Sequence, residues 1–427
     1  MIQVLSSAWA LLLGMGLLMI GNGLQGTILG VRGEIEGFST LQMSFVMSAY
    51  FVGFLGGSRL APEMIRRVGH VRVFAALASF ISAVMIMYPL LTNEIAWILG
   101  RVVIGFCFSG VYVTAESWLN NAANNENRGQ ALSLYMIVQM TGIISAQGLV
   151  LIGDPSGYET FVIASILVSV SFAPILLSIS PTPAFDTTKP MTLRELMGKS
   201  PLGCVGMFLL GGVFSAQFGM ASVYGARAGL SLAEISTFVA AFYVGAVLLQ
   251  YPLGWFSDRM DRRFLIMLVA ITGAAGAVCG MLFGVSFPIL LVSAFVIGGM
   301  SNPLYSMLIA HTNDFLEHED MAAASGGLVF INGMGAISGP LITGWLMGDG
   351  VFGPPGFFLI IAALLAMTAV YAMYRMTQRA AIPVDETGTM SPIYPTSSPV
   401  AFEVAQEVAI EAAEEAAEAE QDTQNVA

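Results

Sequence analysis

The sequence predicts an all-α integral membrane protein in which twelve transmembrane helices form two pseudo-symmetric six-helix bundles. Composition gives the first reason: of 427 residues, 56% are hydrophobic and 10% are charged, whereas a soluble domain carries about 25% charged residues. Twelve apolar runs are long enough to cross a bilayer, which takes about 20 residues. A repeat along the chain is the reason for two bundles.

The apolar runs define the elements in order. We place the twelve helices at residues 6–29, 41–62, 73–92, 95–119, 129–152, 158–180, 201–224, 233–256, 263–284, 287–310, 321–347 and 353–375. The first run has no basic residue before it and is long enough to span, so we interpret it as a retained helix and not as a cleaved signal peptide.

These runs divide the chain into four regions. Residues 1–180 form the first bundle, 181–200 a polar linker with room for a short surface helix, 201–375 the second bundle, and 376–427 a tail. The tail holds ten acidic residues and one arginine, a net charge of −9 out of −12 for the whole chain. No basic patch for nucleic acid is present, and nucleic-acid binding is excluded.

The tail itself has two parts. Its first part, from Ile382 to Pro399, is rich in Pro, Ser and Thr, and we expect it to be disordered. Its second part, from Ala401 to Gln421, is rich in Ala and Glu. That composition fits a solvated, partly helical extension, or a helix that docks on a partner.

Basic residues in the short loops predict the orientation. With the N-terminus in the cytoplasm, the outer loops carry only Arg32 and Arg227. The inner loops then carry Arg66, Arg67, Arg72, Arg128, Lys189, Arg194, Lys199, Arg259, Arg262, Arg263, Arg375 and Arg379. We therefore expect both termini on the cytoplasmic side of the membrane.

Matching residues recur at an offset of 192 or 193 along the two halves. The second and eighth helices share the strings Ala49–Gly53 and Ala241–Gly245. The other matched pairs are Gln25 with Gln217, Val31 with Val223, Gly33 with Gly225, Gly105 with Gly298, Tyr112 with Tyr305, Asn120 with Asn313, Gly142 with Gly335, Ile144 with Ile337, and Ser145 with Ser338. Two related halves facing each other across a cavity is a known transporter architecture.

The loop after the eighth helix carries a motif. Gly254, Asp258, Arg259, Arg262 and Arg263 resemble the Gly-x-x-x-Asp-Arg-x-Gly-Arg-Arg loop of the major facilitator superfamily. The copy after the second helix is degraded: Pro62 and Arg66 replace the glycine and the aspartate, while Arg67, Gly69 and Arg72 still fit.

Further motifs extend the resemblance over residues 1 to about 375. Arg101 and Gly105 resemble the family's Arg-x-x-x-Gly element, and Gly335, Gly339 and Pro340 resemble its Gly-x-x-x-Gly-Pro element. The latter lies in the eleventh helix; the fifth, where the element marks exporters, has Gln147 in place of proline. The strings Ala115–Ser117, Asn127–Gly129 and Tyr135–Met136 are similar to the YcaD-like bacterial branch, which implies no particular substrate.

An ionisable group inside a membrane costs free energy unless it is paired with another group or hydrated, so each such residue is a candidate for a functional role. Arg101 fits a clamp for an anion or a carboxylate, or a side chain that extends to the headgroups or pairs with a neighbouring helix. Glu116 lies about 22 Å further along the same helix, too far to pair with Arg101. It fits a proton carrier, or a carboxylate paired with Arg128 at a gate.

Asp258 is predicted to serve as a gate. The resemblance implies that this aspartate contacts a helix N-terminus or an arginine where the two halves meet, and that the contact breaks when the gate opens. Arg259, Arg262 and Arg263 also act as orientation charges.

Uncharged polar side chains on the predicted cavity helices are candidates for solute binding, or else for ordinary hydrogen bonds between helices. They are Asn22, Gln25, Tyr112, Gln217, Tyr224, Asn302, Tyr305 and Asn332.

The cysteines, one acidic loop and the absence of enzyme motifs argue against metal-binding and enzymatic functions. Cys107, Cys204 and Cys279 lie in apolar runs without metal-ligand spacing. The loop between the tenth and eleventh helices holds His311, Asp314, Glu317, His318, Glu319 and Asp320, which we interpret as solvated residues and not as a metal site. Nucleotide-binding, dinucleotide and hydrolase motifs are absent from the sequence, so we expect neither an enzyme nor a cofactor.

The sequence therefore predicts a monomeric secondary transporter in the lipid bilayer, moving a small organic solute by alternating access. Proton coupling through Glu116 is one hypothesis. A second function class is a transporter-derived sensor that signals through its acidic tail.

Overall fold

The computed structural model describes residues 2–122, 125–177, 191–316 and 318–380, and beyond them residues 382–383, 387–388, 390, 392–394, 398 and 401. Twelve helices in these ranges are long and apolar enough to cross a membrane. The described residues contain no strand, and the predicted all-α fold of two six-helix bundles is confirmed.

The helices follow the predicted order. They are α1 Ile2–Ile35, α2 Thr40–Val68, α3 His70–Leu90, α4 Glu94–Ala122, α5 Asn125–Leu149, α6 Glu159–Leu177, α7 Pro201–Arg227, α8 Leu232–Ser257, α9 Arg262–Phe283, α10 Phe287–Asn313, α11 His318–Leu346 and α12 Gly356–Gln378. Several helices exceed the predicted apolar runs, because their polar ends extend past the hydrocarbon layer. A short helix, Leu193–Lys199, lies in the predicted linker.

The two halves begin their second helices in the same way. Ser39 caps α2 through a capping box with Gln42, and Ser231 caps α8 through a capping box with Glu234. In each box the serine side chain accepts from the backbone N–H three residues on, which pairs a helix-end donor. The two serines are 192 residues apart, so the duplication extends to how these helices start.

Repeated glycines allow equivalent helix pairs to approach closely. A Cβ on Gly53 of α2 would lie 1.9 Å from the Val102 carbonyl oxygen of α4, and one on Gly245 of α8 would lie 2.1 Å from that of Phe295 in α10. No side chain larger than hydrogen fits at these contacts, so the matched glycines fix the same pairing in both bundles.

The connections define two faces. We call the terminal face the one that holds the start of α1, the α2–α3, α8–α9 and α10–α11 connections and the end of α12. We call the opposite one the far face. The bundles meet mainly toward the far face: Ser48 Oγ donates to the Ile337 carbonyl at 2.6 Å, and Ser236 donates to the Gln147 carbonyl. Half-buried Arg227 of α7 also forms an ion pair with Glu34 of α1 at 3.6 Å.

At the terminal face, several described residues of the tail lie between the bundles. Among its described residues, Met390, Ile393, Tyr394, Ser398 and Ala401 are all buried. We expected residues 382–399 to be disordered, and these described positions differ from that expectation. Backbone N–H groups of Met390, Ile393 and Ser398 donate to Asp258 just after α8, to Ser306 of α10 and to Glu116 of α4, which composition alone does not reveal. The predicted helix of residues 401–421 lies outside the described residues except for Ala401.

Candidate functional site: a cavity between the bundles

A cavity of about 140 Å³ lies between the two bundles. Helices α1, α2, α4 and α5 contribute from the first half, and α7, α8, α10 and α11 from the second. Its wall is formed by Asn22, Gly23, Gly26, Thr27, Tyr50, Phe51, Phe54, Arg101, Met140, Ile143, Gln147, Phe214, Phe218, Gly219, Ser222, Val239, Tyr243, Asn302, Val329, Asn332, Gly333 and Ala336. A site lined equally from both halves changes shape when the halves move.

Arg101 is the single residue of the described cavity wall that carries a full charge. The side chain is 6% exposed, and its guanidinium donates to Gln25 Oε1 at 3.2 Å and faces the Tyr50 ring at 4.9 Å. Nε has no hydrogen-bond partner. Within the described part of the chain, no carboxylate forms an ion pair with Arg101.

Three side-chain amides of the wall are held in place by hydrogen bonds, two to backbone carbonyls and one from a threonine hydroxyl. Asn302 donates to Gly298 O at 3.1 Å, Asn332 donates to Met207 O at 2.9 Å, and Gln147 accepts from Thr27 Oγ1 at 2.9 Å. Side chains fixed in this way present polar groups to a solute in a defined direction.

Aromatic rings cover much of the remaining wall. In the second half, Phe218 stacks on Phe214 at 5.8 Å and on Tyr243 at 4.9 Å between centroids. In the first half, Tyr50 and Phe54 pack together with centroids 6.0 Å apart. A π-helical turn at Ala216–Met220 interrupts α7 beside the cavity, as is frequent at functional sites.

Four predicted solute-binding residues, Asn22, Arg101, Asn302 and Asn332, lie in the cavity wall. The other five predicted residues lie outside it: Gln25, Tyr112, Gln217, Tyr224 and Tyr305.

Those five residues make contacts inside the helix bundles. Gln25 supports Arg101, and Gln217 accepts from Ser301 Oγ at 3.0 Å. Tyr112 contacts Met19 Sδ at 3.5 Å, Tyr224 stacks on Phe357 at 5.0 Å, and Tyr305 packs against Phe214.

The aromatic wall was missed at the sequence level. Tyr50 and Phe51 belong to the first copy of the repeated string, and Phe242 and Tyr243 to the second. The repeated string was the available signal, since it indicated duplication and three of its four aromatic side chains, Tyr50, Phe51 and Tyr243, line the cavity.

The second motif loop forms a charge cluster at the terminal face. Arg262 is buried and pairs with buried Asp314, and it lies 3.6 Å from Asp258. Arg263 pairs with Asp261 at 3.0 Å and donates to the Arg379 carbonyl at 2.7 Å. These contacts tie the loop to α10 and to the end of α12.

The partners of Asp258 lie within its own half and the tail. Besides Arg262, its Oδ1 accepts from the Met390 N–H at 2.7 Å. Partial burial raises the pKa of the Asp258 carboxyl, against the opposing effects of the Met390 N–H and Arg262. Burial likewise raises the pKa of Asp314, although Arg262 opposes the shift. Neither contact of Asp258 reaches the first bundle.

The remaining motif residues differ in their surroundings. Arg259 lies over the Trp255 ring at 4.2 Å, and a Cβ on Gly254 would lie 3.0 Å from Met390 Cε. In the degraded copy, exposed Arg67 pairs with Glu63 at 2.7 Å, and Gly69 has a φ of 84°, which favours glycine. Arg72 is exposed. The Arg128 side chain lies outside the described part of the structure.

Glu116 is buried near the terminal end of α4, outside the cavity wall. Its carboxylate accepts from the Tyr135 hydroxyl at 3.3 Å and from the Ser398 N–H of the tail at 2.8 Å. The predicted partner Arg128 is not among the described side chains, so that pairing stays a prediction.

The acidic loop between α10 and α11 is partly described. Asp314 pairs with Arg262, and buried His311 packs edge-on against Phe315 at 5.1 Å. The described residues hold no group of three metal-ligating side chains. The side chains of Glu317, His318 and Glu319 lie outside the described part.

Comparison with known proteins identifies relatives of the whole helical core. The model of the Major Facilitator Superfamily matches residues 11–234 and 202–405. An uncharacterised MFS-type transporter YcaD from Escherichia coli O6:K15:H31 (strain 536 / UPEC) is 26% identical over 358 residues, which cover 83% of this chain and 92% of the relative.

Two solved structures share the fold at low sequence identity. The nucleoside transporter NupG superposes with a TM-score of 0.70 at 15% identity, covering 87% of this chain and 99% of NupG. A bacterial homolog of the human lysosomal transporter Spinster, in an inward-facing and unoccupied conformation, gives a TM-score of 0.63 at 16% identity. It covers 94% of this chain and 97% of its own.

Proposed function

The chain belongs to the Major Facilitator Superfamily of transporters, and on that premise we propose that it moves a small organic solute across the bacterial inner membrane by alternating access. It is a multi-pass membrane protein and not an enzyme. The proposed driving force is a solute or ion gradient, since the sequence has no nucleotide-binding motif.

One observation carries this proposal: a cavity is lined from both bundles, and the bundles touch mainly on one side of it. Toward the far face, Gly30 and Gly344 pack so tightly on Ser222 and Ser44 that added Cβ atoms would lie within 2.5 Å of atoms of these serines. Rocking the bundles would open these contacts and bring the terminal ends together.

The direction of access follows from the charges. The terminal face carries the predicted inner-loop arginines, so we propose that it is the cytoplasmic face and that both termini lie inside. The described conformation then corresponds to an inward-facing state, with the outer side closed by helix packing.

The proposed gating role of Asp258 fits that state. An inner gate contact with the first bundle is expected only when the terminal ends meet, and here the partners of Asp258 are Arg262 and Met390. We propose that Asp258 exchanges the tail contact for one on the first bundle during transport. Proton coupling through Glu116 is a separate hypothesis and is not needed for this cycle.

The experiment combines ligand discovery with a blocked cavity. Purified protein is screened against a metabolite library for compounds that raise its unfolding temperature, because binding stabilises the folded state. Each hit is then tested for uptake into proteoliposomes by wild type and by Gly26→Leu. A Cβ on Gly26 meets nothing within 4 Å and Gly26 is part of the wall, so a leucine side chain has room to start there and takes up cavity space.

The matched control is Gly148→Leu. Gly148 is also helical and free of neighbours within 4 Å, but it lies on an exposed surface outside the wall. We expect uptake in wild type and Gly148→Leu and none in Gly26→Leu. Equal uptake in the two variants would contradict the proposal, as would hits that bind but cross the membrane neither with the full chain nor with a chain truncated after Ala380.

A further inference from the structure

The cavity contains a feature that narrows the class of solute. Arg101 is more than nine-tenths buried, carries a full charge, and has no carboxylate partner within the described residues. Its Nε donor is unpartnered, and its other recorded contacts are an amide oxygen, a thioether sulfur at 3.2 Å and a ring face. A buried guanidinium is satisfied when a planar anion takes its free donors.

We propose that the solute is a small organic monoanion, held by its carboxylate on Arg101 and by a flat apolar body between the aromatic walls. This inference rests on the proposed transport function. The rest of the described wall carries no second full charge. The single positive charge of Arg101 therefore matches a solute with one negative charge, and it does not match a dianion or a cation.

The aromatic rings give the shape of the apolar body. Tyr50 faces the guanidinium, and Phe218 and Tyr243 of the second bundle form a stacked pair with planes 23° apart. A flat, unsaturated body packs well against such rings. Asn302 and Asn332 supply neutral polar groups for oxygen or nitrogen substituents.

The probe is a library of small aromatic and unsaturated carboxylic acids, each paired with its primary amide; benzoate with benzamide and phenylacetate with phenylacetamide are examples. Uridine and benzylamine are added as neutral and cationic comparators. Binding to the full chain in detergent is measured as a shift of the unfolding temperature. We expect acids to raise it and the matched amides, uridine and benzylamine to leave it unchanged.

Substitutions test whether the anion binds to Arg101. Arg101→Gln should weaken acid binding by about tenfold or more, the amount expected from losing a charge-assisted hydrogen bond. Arg101→Lys keeps the charge and should retain part of the affinity. Arg227→Gln removes an arginine outside the cavity wall and should bind acids as wild type does. Gly26→Leu blocks the cavity and keeps Arg101, so it tests the site even if Arg101→Gln does not fold.

The outcomes separate this inference from the function it rests on. If amides or uridine bind and are taken up by proteoliposomes, transport holds and the anion class is wrong. If acids bind through Arg101 but cross the membrane neither with the full chain nor with the chain truncated after Ala380, the anion site holds and transport is wrong. If no acid in the library stabilises the protein, or if acids bind equally well without Arg101, the inference is overturned.

A second, independent observation concerns the tail. We define the tail segment as the described residues Thr387, Gly388, Met390, Pro392, Ile393, Tyr394, Ser398 and Ala401. Gly388 and Met390 contact the charge cluster of the motif loop, where Arg262 donates to the Gly388 carbonyl at 2.6 Å and the Met390 N–H donates to Asp258 at 2.7 Å. Ile393 pairs with Ser306 of α10 through two hydrogen bonds of 3.0 Å. Ser306 lies seven residues from the end of α10, or about 10 Å deep.

The same segment then reaches the first bundle. Ser398 donates its N–H to Glu116 of α4 at 2.8 Å, and Ala401 is fully buried. The segment therefore bridges the two bundles on the side where they do not close on each other. The terminal ends of the bundles cannot meet while this chain lies between them.

We infer that the tail segment is an autoinhibitory plug that holds the carrier open toward the terminal face and covers the route into the cavity. Transport requires its release, because the alternate state needs the space that the segment occupies.

The test uses accessibility, which needs no knowledge of the solute. Asn22→Cys, in a protein whose three native cysteines are replaced by alanine, reports access to the cavity through its rate of labelling by a maleimide. Truncation after Ala380 should raise that rate severalfold. Asp349→Cys, exposed on the far face, should be labelled at the same rate with and without the tail.

A matched pair of substitutions keeps the full chain. Ile393→Asp places a charge at a buried contact, and Pro392→Asp places the same charge on its exposed neighbour. We expect Ile393→Asp to label as fast as the truncated chain and Pro392→Asp to label as slowly as wild type. The plug inference is overturned if Asn22→Cys is labelled at the same rate in Ile393→Asp and Pro392→Asp, or if it is labelled no faster in the truncated chain than in the full one.

Discussion

Glu116 illustrates how a single membrane carboxylate is open to two interpretations. As a proton carrier it must gain and lose a proton during transport. As an anchor it needs only an acceptor oxygen for the N–H of Ser398 and for the Tyr135 hydroxyl. Its position outside the cavity wall favours the anchor.

Glu116→Gln separates these two roles. Glutamine keeps an acceptor oxygen but cannot titrate, so we expect uptake of an identified solute, and its response to an imposed pH gradient, to match wild type within about twofold, since a retained hydrogen bond changes little free energy. Glu116→Leu removes the acceptor and should raise the labelling rate of Asn22→Cys. Loss of gradient-driven accumulation in Glu116→Gln alone would instead assign Glu116 to proton coupling.

At the scale of helices, glycines repeated in the two halves allow equivalent pairs of helices to pack closely. Gly53 and Gly245 occupy equivalent positions, and each lies against the backbone of the partner helix. Gly53→Ala and Gly245→Ala should each destabilise the protein by about 1–3 kcal/mol, the usual effect of overpacking. The measurement is the unfolding temperature in detergent.

Gly56→Ala is the control for this pair. Gly56 lies on the same helix as Gly53, but its added Cβ would be 3.6 Å from the Phe106 ring, an ordinary contact. We expect its unfolding temperature to stay near that of wild type. The equivalence of the two bundles would be contradicted if Gly53→Ala were as stable as Gly56→Ala while Gly245→Ala was not.

The positions of the helices could be predicted from the sequence more completely than the lining of the cavity, which side chains from several helices form together. Apolar runs and caps depend on neighbouring residues, so the twelve helices and the paired glycines could be predicted. The symmetric pair Gln25 and Gln217 lies behind the cavity wall instead of in it, because a small rotation of a helix decides which side chain faces inward.

The tail shows the same limit more strongly. Its Pro- and Ser-rich composition predicts disorder, yet Met390, Ile393 and Tyr394 are buried. Their partners come from helices more than 80 residues away in sequence, such as Ser306 for Ile393. A single sequence records which side chains are apolar but not which distant surface they match.

At the scale of the whole molecule, the two sides of the cavity are closed by different means. The far side is closed by direct packing of the bundles, whereas the terminal side is covered by the tail segment. Opening the far side therefore requires the bundles to separate at positions such as Gly30, where an added Cβ would lie 2.1 Å from Ser222 Oγ. A side chain placed there acts as a wedge.

Gly30→Leu tests alternating access directly. The leucine prevents the far side from closing, so we expect the population to shift toward a state open at the far face. In sealed vesicles, a membrane-impermeant maleimide added at the far face should then label Asn22→Cys faster than in the unwedged protein. Uptake of an identified solute should be lost, because a carrier that cannot close one side cannot complete the cycle. Gly148→Leu is the matched control and should keep both properties. Unchanged labelling and uptake in Gly30→Leu would mean that the far-face contacts of the two bundles are not a gate.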